Sequence, residues 1–376
     1  MNRHIDTWLI LVVISMLMLG LLMVFSSSAV MASSAPGAEF KYLTRQCFAL
    51  FVGLVLCIGT AFTPIRQIRH NHMLFYALVG IGLILCFIPG IGVTVKGASR
   101  WIGFGGVNFQ PSAFAKVVSL ISVAAFLHKW RGQVHNIRVV IQACCIPLPL
   151  MLLILFEPDF GTTMIITLLI GFMLFIGGMK KQHVSIIGGT TVFVGFFALI
   201  MEEYRLQRIR HFWDPWSAYE GQGYQVIQGW IALHNGGLTG QGLGNSVSKR
   251  HFLPEPWTDF IAAVIGEELG FLGLAALIIM YGLLLWRGFH IAKQARDAFS
   301  MLLASSITMM LIIEAAFNLG VVLGILPPKG LVLPFISYGS SALMCNMWAI
   351  GILLSISSEK RELPLEQGWK IPKESV

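Results

Sequence analysis

Charged residues are scarce in this chain. Asp, Glu, Lys and Arg make up 12% of its 376 residues, where a soluble domain carries about 25%. Hydrophobic residues reach 56%, more apolar surface than a water-soluble core can absorb, so the bilayer must act as solvent. The six cysteines (Cys47, Cys57, Cys86, Cys144, Cys145, Cys345) show no CxxC spacing. All lie in apolar stretches, so they read as small packing residues rather than metal ligands. The glycine-dense GLTGQGLGNS (237–246) lacks the GK[ST] of a nucleotide-binding P-loop, which favours tight turns. No stretch reads as a soluble accessory domain or a low-complexity tail. Residues 359–376 read as a short charged end.

What is present is a series of apolar runs at about 7–27, 44–63, 72–92, 112–128, 138–156, 160–177, 183–201, 260–286, 299–323 and 335–357. Only helices satisfy their backbone in lipid without closing a barrel. The expected fold is therefore an all-α membrane protein of about ten transmembrane helices. One long polar loop (202–258) separates the seventh and eighth. The first run is too long for a signal h-region and is read as the first helix. The expected organisation is one polytopic membrane domain over 1–358 and a tail over 359–376.

Lys and Arg set the orientation. With the N-terminus in the cytoplasm, fifteen of the 26 Lys and Arg fall on that side. Five of the remaining eleven sit in the long loop, where the rule is weak. Both termini are thus expected inside and the polar loop outside. This bias accounts for most of the net charge of +8, and no nucleic-acid partner is needed.

Chemistry is expected where polar groups break the apolar pattern. Pro111 and Ser112 look like a helix start. Lys116 follows about one turn inside the helix, either snorkelling to the outer interface or facing a polar cavity. In FEPDFGTT (156–163), Asp159 suits an N-cap and Glu157 lies beside it. Arg205, Arg208 and Arg210 sit among aromatics, as headgroup anchors or as a phosphate clamp. Thr258 or Asp259 suits the cap of the eighth helix. Glu267 and Glu268 lie deeper, facing a bundle interior or a watery cavity. Glu314 and Asn318, one turn apart, share a face and suit interhelical polar contacts. LPPKGLVLPFISYGSS (326–341), around Lys329, reads as an irregular or re-entrant loop with hydroxyls at Ser337, Tyr338, Ser340 and Ser341.

Lys116, the arginines, Asp259 and Lys329 would together present cations and a carboxylate on the outer side. The cell supplies no nucleotide there, so bond formation needs a pre-activated substrate. A lipid-linked pyrophosphate sugar fits: cations stabilise the leaving pyrophosphate and a carboxylate deprotonates the attacking hydroxyl.

KGASRWI (96–102), FQPSAFAK (109–116), EPDFGT (157–162), GQGLGNSVSKRHFLPEPWTDFIAAVIGEELG (240–270) and LPPKGLVLPFISYGSSAL (326–343) resemble the SEDS family of shape, elongation, division and sporulation proteins. The resemblance covers nearly the whole chain. GQGLGNSV and PKGLVLPFISYG are closer to its division branch. It implies a peptidoglycan glycosyltransferase that polymerises lipid II on the outer face of the bacterial inner membrane, at the division septum, and releases undecaprenyl pyrophosphate. It implies Asp259 as the catalytic carboxylate, with Arg45 and Lys116 as substrate-binding cations. Arg208, Arg210 and Lys329 are added here from the residues themselves. The resemblance also implies a divalent cation (Mg or Mn), for which Asp259 and Glu157 are the candidate ligands. The implied partners are a class B penicillin-binding transpeptidase and other divisome membrane proteins.

The chain departs from the family pattern at four positions. Ala113 stands where Glu is usual, Trp257 where His is usual, Glu157 where Gln is usual and Ser340 where Gly is usual. The first removes a candidate ligand that Glu157 could replace, and the second removes a proton-relay candidate beside Asp259. The competing readings are a lipid II flippase, using Glu267, Glu268 and Glu314 as a polar path, and a non-catalytic scaffold for the transpeptidase.

Overall fold

The computed structural model describes residues 5–28, 38–95, 98–104, 107–200, 212–218, 222–250 and 252–359. It is a helical bundle with one small sheet. In chain order the helices are α1 (Thr7–Ser28), α2 (Ala38–Phe62), α3 (Ile65–His70), α4 (His72–Leu85), α5 (Pro111–Lys129), α6 (Ile137–Cys145), α7 (Leu148–Phe156), α8 (Phe160–Ile176), α9 (Lys181–Ile200), α10 (Gln222–Gly236), α11 (Ile261–Gln294), α12 (Ala298–Val322) and α13 (Ser340–Ser358). Each of the ten expected spans falls on a helix or a helix pair. Among the described residues, six helices are long and apolar enough to cross a membrane alone, and the bent pair α6–α7 makes a seventh. α4 and α8 are apolar but shorter. The expected count of ten is therefore not reached by length and composition.

The α6–α7 bend of 40° follows from Pro147 at the junction, because proline lacks the N–H and clashes with the preceding turn. The helix α5 starts at Pro111, as its sequence suggests. It is the centre of the bundle. Leu120, Ile121, Val123 and Ala124 are fully buried, and it packs on α4, α8, α12 and α13. A helix buried on nearly every face takes such a position, and its polar residues must then be satisfied inside the bundle. By contrast α2 and α4 turn Phe48, Phe51, Leu74 and Ile81 outward, as a lipid-facing surface requires. Where α2 meets α13, Gly351 lies against the Cys57 carbonyl and Gly53 against Met347.

Two features differ from the sequence expectation. The segment before α5 forms a three-stranded antiparallel sheet, β1 (Gly92–Val95), β2 (Ala98–Phe104) and β3 (Val107–Phe109). Gly92 pairs with Ile102, and Ile102 with Phe109. The long polar loop also carries a helix, α10, which packs on α11. Gly236 lets the two approach, since a Cβ there would meet the Gly266 carbonyl at 1.9 Å.

The helix α11 breaks at Gly270 (φ 67°, ψ −166°), a conformation essentially restricted to glycine. The backbone of 237–242 fills the break. Phe271 N donates to Gly237 O (2.9 Å), Leu272 N to Leu238 O (3.1 Å), Gln241 N to Glu267 O (2.9 Å) and Gly242 N to Glu268 O (3.0 Å). The glycines of 237–244 do form tight turns, with positive φ at Gly237, Gly240, Gly242 and Gly244.

Candidate active site

The expected active-site segments meet at one end of the bundle, where α11 and α13 begin and α12 ends. Asp259 precedes α11 in an irregular strand, and three successive carbonyls of that strand are anchored. Trp257 O accepts from Tyr338 N (2.8 Å). Thr258 O accepts from the Ser337 hydroxyl (2.7 Å) and Asp259 O from Asn318 Nδ2 (2.9 Å). Asn318 also donates to Leu331 O (2.6 Å). The irregular 326–339 segment thus satisfies its backbone against the Asp259 strand and α12, as non-helical chain at membrane depth must. Asp259 does not occupy the N-cap position of α11. The N-cap position is Phe260, and no side chain caps it.

The Asp259 carboxylate lies against Gly330, where a Cβ would stand 3.0 Å from Oδ2. The neighbouring Lys329 folds over Gly161. A Cβ there would meet Lys329 Cε at 2.1 Å, Lys329 Nζ at 2.6 Å and Asp159 Oδ1 at 3.3 Å. The ammonium also sits 5.9 Å from the centroid of the Phe317 ring. Asp159 caps α8 as expected, accepting from Thr162 N (3.1 Å) and the Thr162 hydroxyl (2.7 Å). Two glycines therefore leave room, Gly330 for the Asp259 carboxylate and Gly161 for the Lys329 ammonium.

Lys116 does not snorkel. It is 7% exposed and forms an ion pair with Glu314 inside the bundle. Burial makes this the economical arrangement, because an unpaired charge at that depth is costly. Glu314 and Asn318 share the expected face of α12, so one turn separates the Lys116 ion pair from the Asp259 backbone.

Glu157 is fully buried, and among the described residues its carboxyl has only the weak Cys86 thiol beside it, neither oxygen meeting a nitrogen or oxygen donor. Burial, reinforced by the charge of Asp159, pushes its carboxyl up to about 8. Arg100 from β2 binds the turn through backbone alone, Nε to Glu157 O (2.8 Å) and Nη2 to Pro158 O (2.6 Å). No three His, Cys, Asp or Glu residues converge on a common point among the described residues. The donor set for the expected cation is not assembled by these side chains.

Arg45 lies half-buried on α2, one turn from Tyr42. Trp257, in place of the usual histidine, stacks on Tyr42 (centroids 4.5 Å apart, 32°) and offers no proton relay. Arg205, Arg208 and Arg210 lie outside the described residues. Glu267 and Glu268 face the interior but are both engaged. Glu267 accepts from the Ser246 hydroxyl, Val247 N and Ser248 N. Glu268 pairs with Lys249 (2.6 Å), and both bond Ser26. Sequence reading missed Gln46, Tyr42 and Gly161, whose signal is contact across the bundle rather than local pattern.

Residues 6–362 match the family model described as "Cell cycle protein", which groups FtsW, RodA and SpoVE. A probable peptidoglycan glycosyltransferase FtsW of Geobacter metallireducens is 37% identical over 360 residues, covering 96% of both chains. The stage V sporulation protein E of Bacillus subtilis is 35% identical over 359 residues, covering 95% of this chain and 98% of its own. A solved chain from a peptidoglycan synthase complex that coordinates polymerization and crosslinking superposes with a TM-score of 0.78. It is 27% identical and covers 94% of this chain and 97% of its own. The buried Lys116–Glu314 pair, the anchored Asp259 strand and the broken α11 thus sit in a multi-pass membrane protein that belongs to the FtsW, RodA and SpoVE family of cell cycle proteins.

Proposed function

We propose that the chain is a peptidoglycan glycosyltransferase of the division branch, polymerising lipid II on the outer face of the bacterial inner membrane with both termini in the cytoplasm. The observation that carries the reading is that the Asp259 carboxylate lies against Gly330, the residue after Lys329, whose ammonium lies over Gly161. The acceptor C4 hydroxyl oxygen attacks the anomeric carbon of the donor chain. Its proton passes to the Asp259 carboxylate while the anomeric C–O bond to undecaprenyl pyrophosphate breaks, inverting the configuration. Lys329 and Arg45, with Arg208 and Arg210 from the long loop, would hold the pyrophosphate as its charge develops. Lys116 is committed to Glu314 and supports the site from beneath. A divalent cation remains part of the proposal only as a companion of the pyrophosphate; the proton transfer is assigned to protein side chains. A class B penicillin-binding transpeptidase is the proposed partner at the septum, in keeping with the crosslinking complex that contains the structural relative.

The transport reading relied on Glu267, Glu268 and Glu314 lining a path, and in this conformation each is bound to a partner. The test is polymerisation of lipid II by the purified protein, alone and with its transpeptidase. Asp259→Ala, folded, should abolish glycan formation. Wild-type polymerisation by that variant refutes the assigned base, and lipid II translocation without polymer refutes the enzyme.

A further inference from the structure

Asp259 directly precedes Phe260, the N-cap of α11, but the chain leading into it is irregular. The residues before α11 form turns and bends, and the segment packed on them, 326–339, is irregular too. A general base whose incoming chain and packing segment are both irregular gains from a rigid support on that side. The expected outer turn of α2 meets both segments. Gln46, 2% exposed, spends both ends of its amide on one of them: Nε2 donates to Ser337 O (3.2 Å) and Oε1 accepts from Gly339 N (3.3 Å). Tyr42, one turn earlier on the same face, stacks on Trp257 at 4.5 Å and meets the edge of Tyr338 at 5.1 Å. Ser337 and Tyr338 are the residues that bind the carbonyls of Thr258 and Trp257. Two independent routes, an amide and a ring, therefore run from α2 to within two residues of Asp259.

We propose that Tyr42 and Gln46 are positioning residues that hold the Asp259 strand in register for proton transfer. Trp257 extends the aromatic route, filling a place where the family commonly has histidine with a ring that locks the strand to α2. Arg45 lies between the two on the same turn, so one helix end would align the base and present a cation to the pyrophosphate. The proposal rests on the glycosyl-transfer reading above. Neither residue is assigned contact with substrate, which sets their signature apart: a lost alignment lowers the rate of the chemical step and leaves substrate affinity in place.

The experiment is lipid II polymerisation by purified protein in vesicles, with initial rates taken across lipid II concentrations. Gln46→Leu and Tyr42→Leu should each lower kcat by about 10- to 100-fold, with KM within about twofold of wild type. Tyr42→Phe, which keeps the ring, should recover most of the rate. Neither change should add to the loss caused by Asp259→Ala. Should the leucine variants fail to fold, Gln46→Glu keeps the shape but removes the donor to Ser337 O, and it should still depress kcat. Wild-type kcat in the folded variants overturns the proposal, as does a raised KM at unchanged kcat. Full polymerisation by Asp259→Ala would instead refute the general-base reading, a separate outcome read in the same assay.

Discussion

Removing one partner of the Lys116–Glu314 pair should cost far more than removing both. The side chains are 9% and 2% exposed, so solvent cannot take over either charge. Glu314 Oε2 already lacks a hydrogen-bond partner among the described residues, which leaves Lys116 as the neutralising contact. Lys116→Met strands a carboxylate in the centre of the bundle and should destabilise by about 3–5 kcal/mol. Glu314→Met strands an ammonium beside Cys345 at similar cost. The double variant replaces the pair with apolar volume and should lie within about 1 kcal/mol of wild type, so the two single losses largely cancel and the coupling is about 5 kcal/mol or more. Equilibrium unfolding of all four proteins in one detergent measures the cycle. Additive single-variant losses, or a harmless Lys116→Met, would show that the pair is not a buried ion pair and refute the reasoning. Polymerisation by the double variant then separates two roles. Restored activity makes Lys116 structural, whereas a stable but inactive double variant makes its charge a direct contributor to the reaction.

Gly161→Ala places a methyl where Lys329 lies, 2.1 Å from Cε and 2.6 Å from Nζ. A flexible side chain can yield, so stability should hold while polymerisation falls about tenfold through a displaced ammonium; unchanged kinetics would remove Lys329 from the site. Glu157 gives a pH signature. Its folded carboxyl is raised to about 8 from an ordinary 4.5, so the fold binds the proton more tightly than the unfolded chain does. The stability this contributes is complete below 4.5 and is lost as pH rises through about 8. Thermal unfolding of Glu157→Gln across that window should decline less with pH than wild type, and parallel curves would contradict the burial of a neutral carboxyl. Gly270→Ala should cost at least about 1–3 kcal/mol, because its conformation is essentially closed to other residues and a Cβ would meet Gly240 N at 2.4 Å. Unfolding midpoints measure it, and a neutral result would exclude the break.

The parts legible in the sequence were those set by local rules. Apolar runs in lipid must be helices, Pro111 opens one, Asp159 caps another, and Glu314 and Asn318 share a face because of helical spacing. The LPEPWTDF and PKGLVLPFISYG segments were recognisable as motifs, but their mutual bonding was not. Ser337 and Thr258 are 79 positions apart, and Lys116 and Glu314 are 198 apart; periodicity carries no information on such pairs. The same limit explains why Lys116 could be read as snorkelling and why the full burial of Glu157 was not legible. Which way each side chain turns depends on neighbours supplied by other helices. The sheet over Gly92–Phe109 was hidden because its strands are short, of four, seven and three residues, a weak alternation signal.

The break in α11 joins what would otherwise be separable parts. Residues 237–242 donate to and accept from the backbone on both sides of Gly270, and Lys249 is tied to Glu268 and Ser26. The polar segment and the helix that follows it are thus one hydrogen-bonded unit, even though the chain between them passes through exposed Pro254 and Glu255. A cut in that exposed stretch would leave two fragments clasped by four main-chain bonds and a buried ion pair. Covalent continuity there serves to deliver Asp259 to its neighbours, while cohesion comes from the clasp.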